Sequence, residues 1–136
     1  MAKFWNFTDN ADSQEIDLRI QGEIVDHDDV WLYELFGIST TAPNTFRQKL
    51  KYYKGKDINV WIDSYGGNVF AATGMYNALM EHKGAVTVKV DGKAMSAATI
   101  VAMAGEKIYM APSSVMMIHN PLTEVYGYAS DLRKVA

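Results

Sequence analysis

Residues 57–90 read DINVWIDSYGGNVFAATGMYNALMEHKGAVTVKV, and this stretch decides the fold. Ile58, Val60 and Ile62 alternate with Asn59 and Trp61, the period of a strand. Ser64-Tyr65-Gly66-Gly67 then reads as a break. From Asn68 to His82 the apolar residues Val69, Ala72, Met75, Tyr76 and Leu79 recur at helical spacing, and Gly84 is the expected stop. Val86, Val88 and Val90 begin a second strand, with Asp91-Gly92 as the expected turn after it. A strand–helix–strand unit with short links predicts an α/β fold with parallel pairing and right-handed crossovers.

Toward the C-terminus the alternation continues. Ser96 to Ala104 is an apolar helix ended by Gly105, and Ile108 to Met110 is a strand. Ala111 to Ser114 turn the chain into a strand over Val115 to Ile118, which His119-Asn120-Pro121 closes. Toward the N-terminus, Ile16, Leu18 and Ile20 alternate with Asp17, Arg19 and Gln21 as a half-buried strand. A short helix is expected between Asp26 and Leu35, followed by a loop over residues 37–44. Thr41 is the expected cap of the next helix, with Pro43 in its first turn and Phe46, Leu50 and Tyr53 on one face. Residues 1–14 read as an N-terminal arm or loose strand and 15–136 as one domain. A last helix begins near residue 130, with Ser130 as its cap and Leu132 and Val135 on one side. It runs only to Ala136 with no C-cap, so the chain is expected to be a C-terminally truncated form.

Composition narrows the function classes. The chain has 136 residues, no cysteine, and 13 basic against 16 acidic side chains for a net charge of −3. Disulfide scaffolds and thiolate metal sites are excluded. The acidic balance argues against nucleic acid as a partner, because phosphate binding needs a concentrated basic face. The N-terminus lacks the apolar core of a secretory signal. The longest weakly polar run, Ala94 to Gly105, is too short to span a bilayer. A cytoplasmic location and no membrane partner are expected.

Three places put polar groups where a strand or helix ends. Gly66-Gly67 permits positive φ and close backbone approach, although a tight turn alone would use the same pair. No Gly-Lys-Ser/Thr follows, so this is not a Walker loop, nor is it a dinucleotide fingerprint. Ser96 opens an apolar helix, where serine most often serves only as a cap. As a nucleophile it would have the Ala97 N–H beside it for an oxyanion, and Ala94, Ala97 and Ala98 would leave room for a carbonyl. His119 ends an apolar strand, a position more often structural than catalytic, while His27 and His82 read as solvated. No metal-ligand spacing occurs, and no cofactor is implied. Nucleophile, base and paired oxyanion donors together are the parts for acyl transfer.

Asp63-Ser-Tyr-Gly-Gly-Asn-Val-Phe70, Asp91-Gly-Lys-Ala-Met-Ser-Ala97 and Met116-Met-Ile-His-Asn-Pro121 resemble the three signature segments of the ClpP-type serine proteases. They are most similar to the ClpP-like head-maturation (prohead) proteases of phages and prophages. The resemblance runs from about Gln14 to Ala136. It implies a ClpP/crotonase-type superhelix of ββα units and an ATP-independent-core serine endopeptidase working by Ser-His-Asp acyl-enzyme chemistry. Ser96 would be nucleophile, His119 general base, and the N–H groups of Gly67 and Ala97 the oxyanion hole. Gly66, Asn68 and Pro121 would contact a peptide that adds as a strand beside the glycines. The resemblance also implies homo-oligomeric rings, typically heptameric, and a polypeptide substrate such as phage capsid or scaffold protein, and it leaves an unfoldase partner open. The family's third triad member, an Asp, lies well beyond His119 and is expected after Ala136, with the handle helix starting near Ser130. A truncated chain of this kind is expected to be inactive or nearly so. Tyr65 stands where the family usually has Pro, and Asp63 where it often has Asn.

Three other readings compete. A crotonase-type acyl-CoA enzyme would share the fold, yet it leaves Ser96 with His119 unexplained and lacks a CoA signal. A Ser–Lys peptidase would need Lys93 beside Ser96. A non-catalytic peptide-binding or assembly module would use aromatics such as Phe4, Trp5, Phe7, Trp31 and Tyr33, which otherwise read as core.

Overall fold

The computed structural model describes residues 7–9, 15–38 and 40–135. Apart from Phe7–Asp9, the N-terminal arm with Phe4 and Trp5 lies outside the described residues. The described strands are β1 (Phe7–Asp9), β2 (Glu15–Ile24), β3 (Thr40–Thr41), β4 (Asp57–Gly67), β5 (Val86–Met95), β6 (Lys107–Met110) and β7 (Val115–Met117). The helices are α1 (Val30–Leu35), α2 (Pro43–Tyr52), α3 (Val69–Met80), α4 (Ala97–Ala102) and α5 (Ala129–Val135).

The strands form one sheet in the order β1-β2-β4-β5-β6, with β3 beside β2 and β7 beside β5. Only the β1–β2 pair is antiparallel; the others among the described strands are parallel, as the strand–helix–strand pattern predicts. The period-2 pattern sends Ile16, Leu18, Ile20, Val60, Ile62, Val88 and Val90 into the core, each almost fully buried. Against them pack Phe46 and Leu50 of α2, Ala72, Met75 and Leu79 of α3, and Ala98, Val101 and Ala102 of α4. Each fully buried aliphatic side chain of this size contributes about 1.5–3 kcal/mol relative to exposure.

The alternate residues make a polar ladder. Asn59 Nδ2 donates to Glu15 Oε2 and Asp17 Oδ1, and Trp61 Nε1 donates to Asp17 Oδ1. The Trp61 ring lies between Arg19 and Lys89, with cations 5.7 and 4.9 Å from its centroid. Arg19 also pairs with Asp91 at 2.6 Å.

Several expectations change. Ser64 to Gly67 is not a break: β4 runs through Gly67, which pairs with Ile24 of β2 beyond a shift of register. Asp91-Gly92 is not a turn, because β5 continues to Met95 and pairs onward with β7. The loop over 37–44 contains the short strand β3. Thr41 does not cap α2; Ala42 holds that position, and the buried Thr41 Oγ1 lacks a hydrogen-bond partner. Val69, at the first turn of α3, is 36% exposed rather than inward. Gly84 does not stop α3, which ends at Met80, with the Glu81 N–H donating to Asn77 O. His82 is half-buried, its Nε2 2.7 Å from Lys56 O. α4 is shorter than expected, starting at Ala97 and ending at Ala102. α5 starts at Ala129, so Ser130 lies inside it, and Asp131 Oδ2 accepts from the Tyr128 N–H. Trp31 is 66% exposed rather than core, and Tyr33 donates to Glu23. No helix among the described residues is long and apolar enough to cross a membrane.

Candidate active site

The site forms where β4, β5 and β7 end. β5 pairs with β7 so that Met95 lies opposite Met117, and the Ser96 N–H donates to Met117 O at 2.8 Å. That register puts the residues just past each strand side by side. Ser96 Oγ and His119 Nε2 are 2.7 Å apart, although 23 residues separate them in sequence.

Ser96 occupies the N-cap position of α4, but its hydroxyl makes no capping bond. Its backbone has φ 52° and ψ −124°, and it is the one non-glycine with positive φ among the described residues. Such a conformation costs about 1–3 kcal/mol and persists only where the surroundings impose it. The main-chain bond to Met117 O imposes it from one side. The Thr99 hydroxyl and N–H, donating to Ser96 O at 2.6 and 3.0 Å, impose it from the other. The hydroxyl is thereby turned away from the helix and toward His119.

β4 supplies the facing wall. Gly66 and Gly67 have φ of 95° and 138°, which L side chains rarely adopt. A Cβ on Gly66 would fall 2.5 Å from Met95 O, 2.8 Å from Ala97 N and 2.9 Å from Ser96 Cβ. A Cβ on Gly67 would run into Ile24 O. The Asn68 N–H donates to Ile24 O at 2.8 Å. Gly67 pairs with Ile24 of β2 and follows Gly66, the residue packed against Met95 O and Ala97 N. Ala97 is the first residue of α4, and its N–H has no carbonyl one turn earlier in that helix to receive it.

Asn68 caps α3, its Oδ1 accepting from the Ala71 N–H at 2.9 Å. Pro121 is exposed, two residues past His119, and belongs to no helix or strand. Lys93 is committed elsewhere: its Nζ is 2.7 Å from Asp63 Oδ1 and 4.4 Å from the centroid of the Tyr65 ring. The hydrogen bond from Lys93 to Asp63 holds the lysine above its ordinary pKa, against a smaller desolvation effect. A Ser–Lys arrangement has no support in that geometry.

Among the described residues, no carboxylate bonds to His119. Glu124 accepts from the Tyr126 hydroxyl, and Asp131 from the Tyr128 N–H. Nor do three His, Cys, Asp or Glu side chains gather where they could hold a metal ion. One contributor escapes sequence reading, the buried Ser64 beneath the glycines. Its Oγ donates to Gly22 O at 2.6 Å and accepts from the Gly66 N–H at 3.0 Å. A polar residue on the inward phase of an apolar strand was the available signal.

Comparison with known proteins agrees with this arrangement of elements. The chain is 35% identical over 105 residues to the ATP-dependent Clp protease proteolytic subunit of Bacteroides fragilis, covering 73% of this chain and 51% of that protein. It is 38% identical over 84 residues to the protein of the same description from Porphyromonas gingivalis, covering 60% and 38%. The chain thus spans about half the length, or less, of these curated relatives. The solved structure of the ClpP1 N165D mutant from Listeria monocytogenes superposes with a TM-score of 0.62 at 24% identity, covering 77% of this chain and 56% of that one, a likeness of fold. The family model described as Clp protease matches residues 14–136, and the chain belongs to that family.

Proposed function

We propose that this chain carries the nucleophile, the base and the oxyanion donors of a ClpP-type serine endopeptidase. The observation that carries the reading is the 2.7 Å contact between Ser96 Oγ and His119 Nε2, made by a serine held at positive φ. With the imidazole proton on Nδ1, Ser96 donates to Nε2 and is set up for base-assisted attack. Ser96 Oγ attacks the peptide carbonyl as His119 takes its proton. The N–H groups of Gly67 and Ala97 donate to the resulting oxyanion, an interaction that strengthens as charge develops. The imidazolium then protonates the leaving amine, and water, activated by the same imidazole, releases the acyl group from Ser96.

The substrate is an extended polypeptide that adds as a strand beside Gly66-Gly67, the mode that family resemblance favours. Gly66, Asn68 and Pro121 flank that path. The signature segments' similarity to head-maturation proteases favours capsid or scaffold protein as the natural substrate. Family resemblance favours a homo-oligomeric ring, with the handle helix beginning at α5, and an Asp outside residues 1–136 as the partner of His119 Nδ1. Such a carboxylate fixes the tautomer and stabilises the imidazolium, and losing it costs about 10⁴-fold in kcat.

An activated ester tests the chemistry without needing the natural peptide. Mixing the chain with p-nitrophenyl acetate should release nitrophenol slowly and leave acetate on Ser96, and Ser96→Ala should abolish both. Release at the parent rate in Ser96→Ala would remove Ser96 as nucleophile.

A further inference from the structure

Ser64 sits at a double irregularity of β4. The β2–β4 register shifts between Gln21 and Glu23, and the β4–β5 register shifts between Ile62 and Ser64. Both shifts fall just before the glycines that face Ser96. A strand displaced against both neighbours within a few residues has lost part of the ladder that would fix its tip. One hydroxyl spans the gap. Ser64 is 0% exposed, and its Oγ donates to Gly22 O, in the β2 bulge, while accepting from the Gly66 N–H.

We infer that Ser64 is a positioning residue for the reaction, its hydroxyl fixing the Gly66-Gly67 segment so that the Gly67 N–H meets the oxyanion formed on Ser96. This rests on the peptidase reading above. The mechanical link is short: Gly66 hangs from Ser64 Oγ on one side and abuts Met95 O and Ala97 N on the other. Movement of Gly66 is therefore transmitted to the neighbouring Gly67. Alanine would leave the partly buried Gly22 carbonyl and the buried Gly66 N–H without the hydroxyl that joins them. The chain would recover those bonds only by shifting the tip of β4, and sub-ångström errors in donor placement are felt directly in rate. Ser64 touches neither substrate nor Ser96 and acts through the glycines alone.

The test compares parent, Ser64→Ala and Ser64→Thr by fluorophosphonate labelling at increasing probe concentration, with backbone amide exchange followed by NMR. Ser64→Ala is expected to lower the limiting labelling rate about 10- to 100-fold, with much less change in the half-saturating probe concentration. Exchange at the Gly66 amide should accelerate, and Ser64→Thr, which keeps the hydroxyl, should restore both readouts. If Ser64→Ala does not fold, Ser64→Cys, whose thiol bonds only weakly, takes its place with the same expectations. Labelling at the parent rate in the Ala or Cys variant overturns the inference, even where Gly66 exchange accelerates. Equal loss in Ser64→Thr overturns it too, by showing general disruption of β4. A parent never labelled on Ser96 defeats the peptidase reading instead, and unchanged Gly66 exchange in Ser64→Ala would then defeat the hold of Ser64 on the glycine separately.

Discussion

Ser96 Oγ and His119 Nε2 meet at 2.7 Å because β7 lies parallel to β5 with Met95 opposite Met117. The contact is a product of strand register, since Ser96 belongs to the β5–α4 junction and His119 to the irregular segment after β7. His119 is exposed and makes no bond that the core needs. His119→Ala should therefore leave the melting temperature nearly unchanged and lower the rate of ester acylation about 10- to 100-fold. A loss of folded protein of similar size would reassign His119 to structure. Because no described carboxylate bonds to His119, acylation by the 136-residue chain itself should be slow, about 10⁴-fold below that of a complete triad.

The φ of 52° at Ser96 sets stability against function. Glycine relieves the strain, worth about 1–3 kcal/mol, at an entropic cost of about 0.5–1 kcal/mol. Alanine keeps the strain and loses the hydroxyl. Ser96→Gly is expected to be more stable than Ser96→Ala by about 1 kcal/mol, read from urea midpoints at constant slope, with acylation absent in both.

Gly66→Ala should fail structurally as well as catalytically. Its Cβ would fall 2.5 Å from Met95 O and 2.8 Å from Ala97 N, and its backbone would have to hold φ 95°. The expected loss is about 3 kcal/mol or more, seen as a lowered thermal midpoint, together with loss of acylation.

Asp63 and Lys93 join β4 to β5 just where their register shifts. The hydrogen bond from Lys93 to Asp63 raises the lysine pKa in the folded chain. A raised cation pKa contributes stability that is complete below the unfolded-state value and is lost as pH rises through the folded one. The stability advantage of the parent over Lys93→Met should therefore be constant through neutral pH and decline in the alkaline range above the ordinary lysine pKa. Denaturant titrations at neutral and strongly alkaline pH check this, and a flat difference would contradict it.

Much of the architecture is legible because Ile16, Leu18, Ile20, Val60, Ile62, Val88 and Val90 keep strict alternation, and Ala72, Met75 and Leu79 keep helical spacing. The misreadings have a common cause. Ser64 to Gly67 and Asp91-Gly92 have the composition of turns, but long-range pairs hold them extended: Ser64 to Gly22, Arg19 to Asp91, and Lys93 to Asp63. Local composition carries no record of such partners. The strain at Ser96 is hidden in the same way, since it is imposed by Met117 and Thr99 rather than by neighbours in sequence. The separate residues Ser96, His119, Gly67 and Ala97 can be marked from the sequence, whereas their convergence depends on the β5–β7 register.

The most direct measurement is to incubate the folded chain with a fluorophosphonate probe at high concentration and locate the adduct by peptide mass spectrometry. Slow, selective phosphonylation of Ser96 is expected, lost in Ser96→Ala and much slower in His119→Ala. Adducts spread over other serines, or total labelling unaffected by Ser96→Ala, would contradict it.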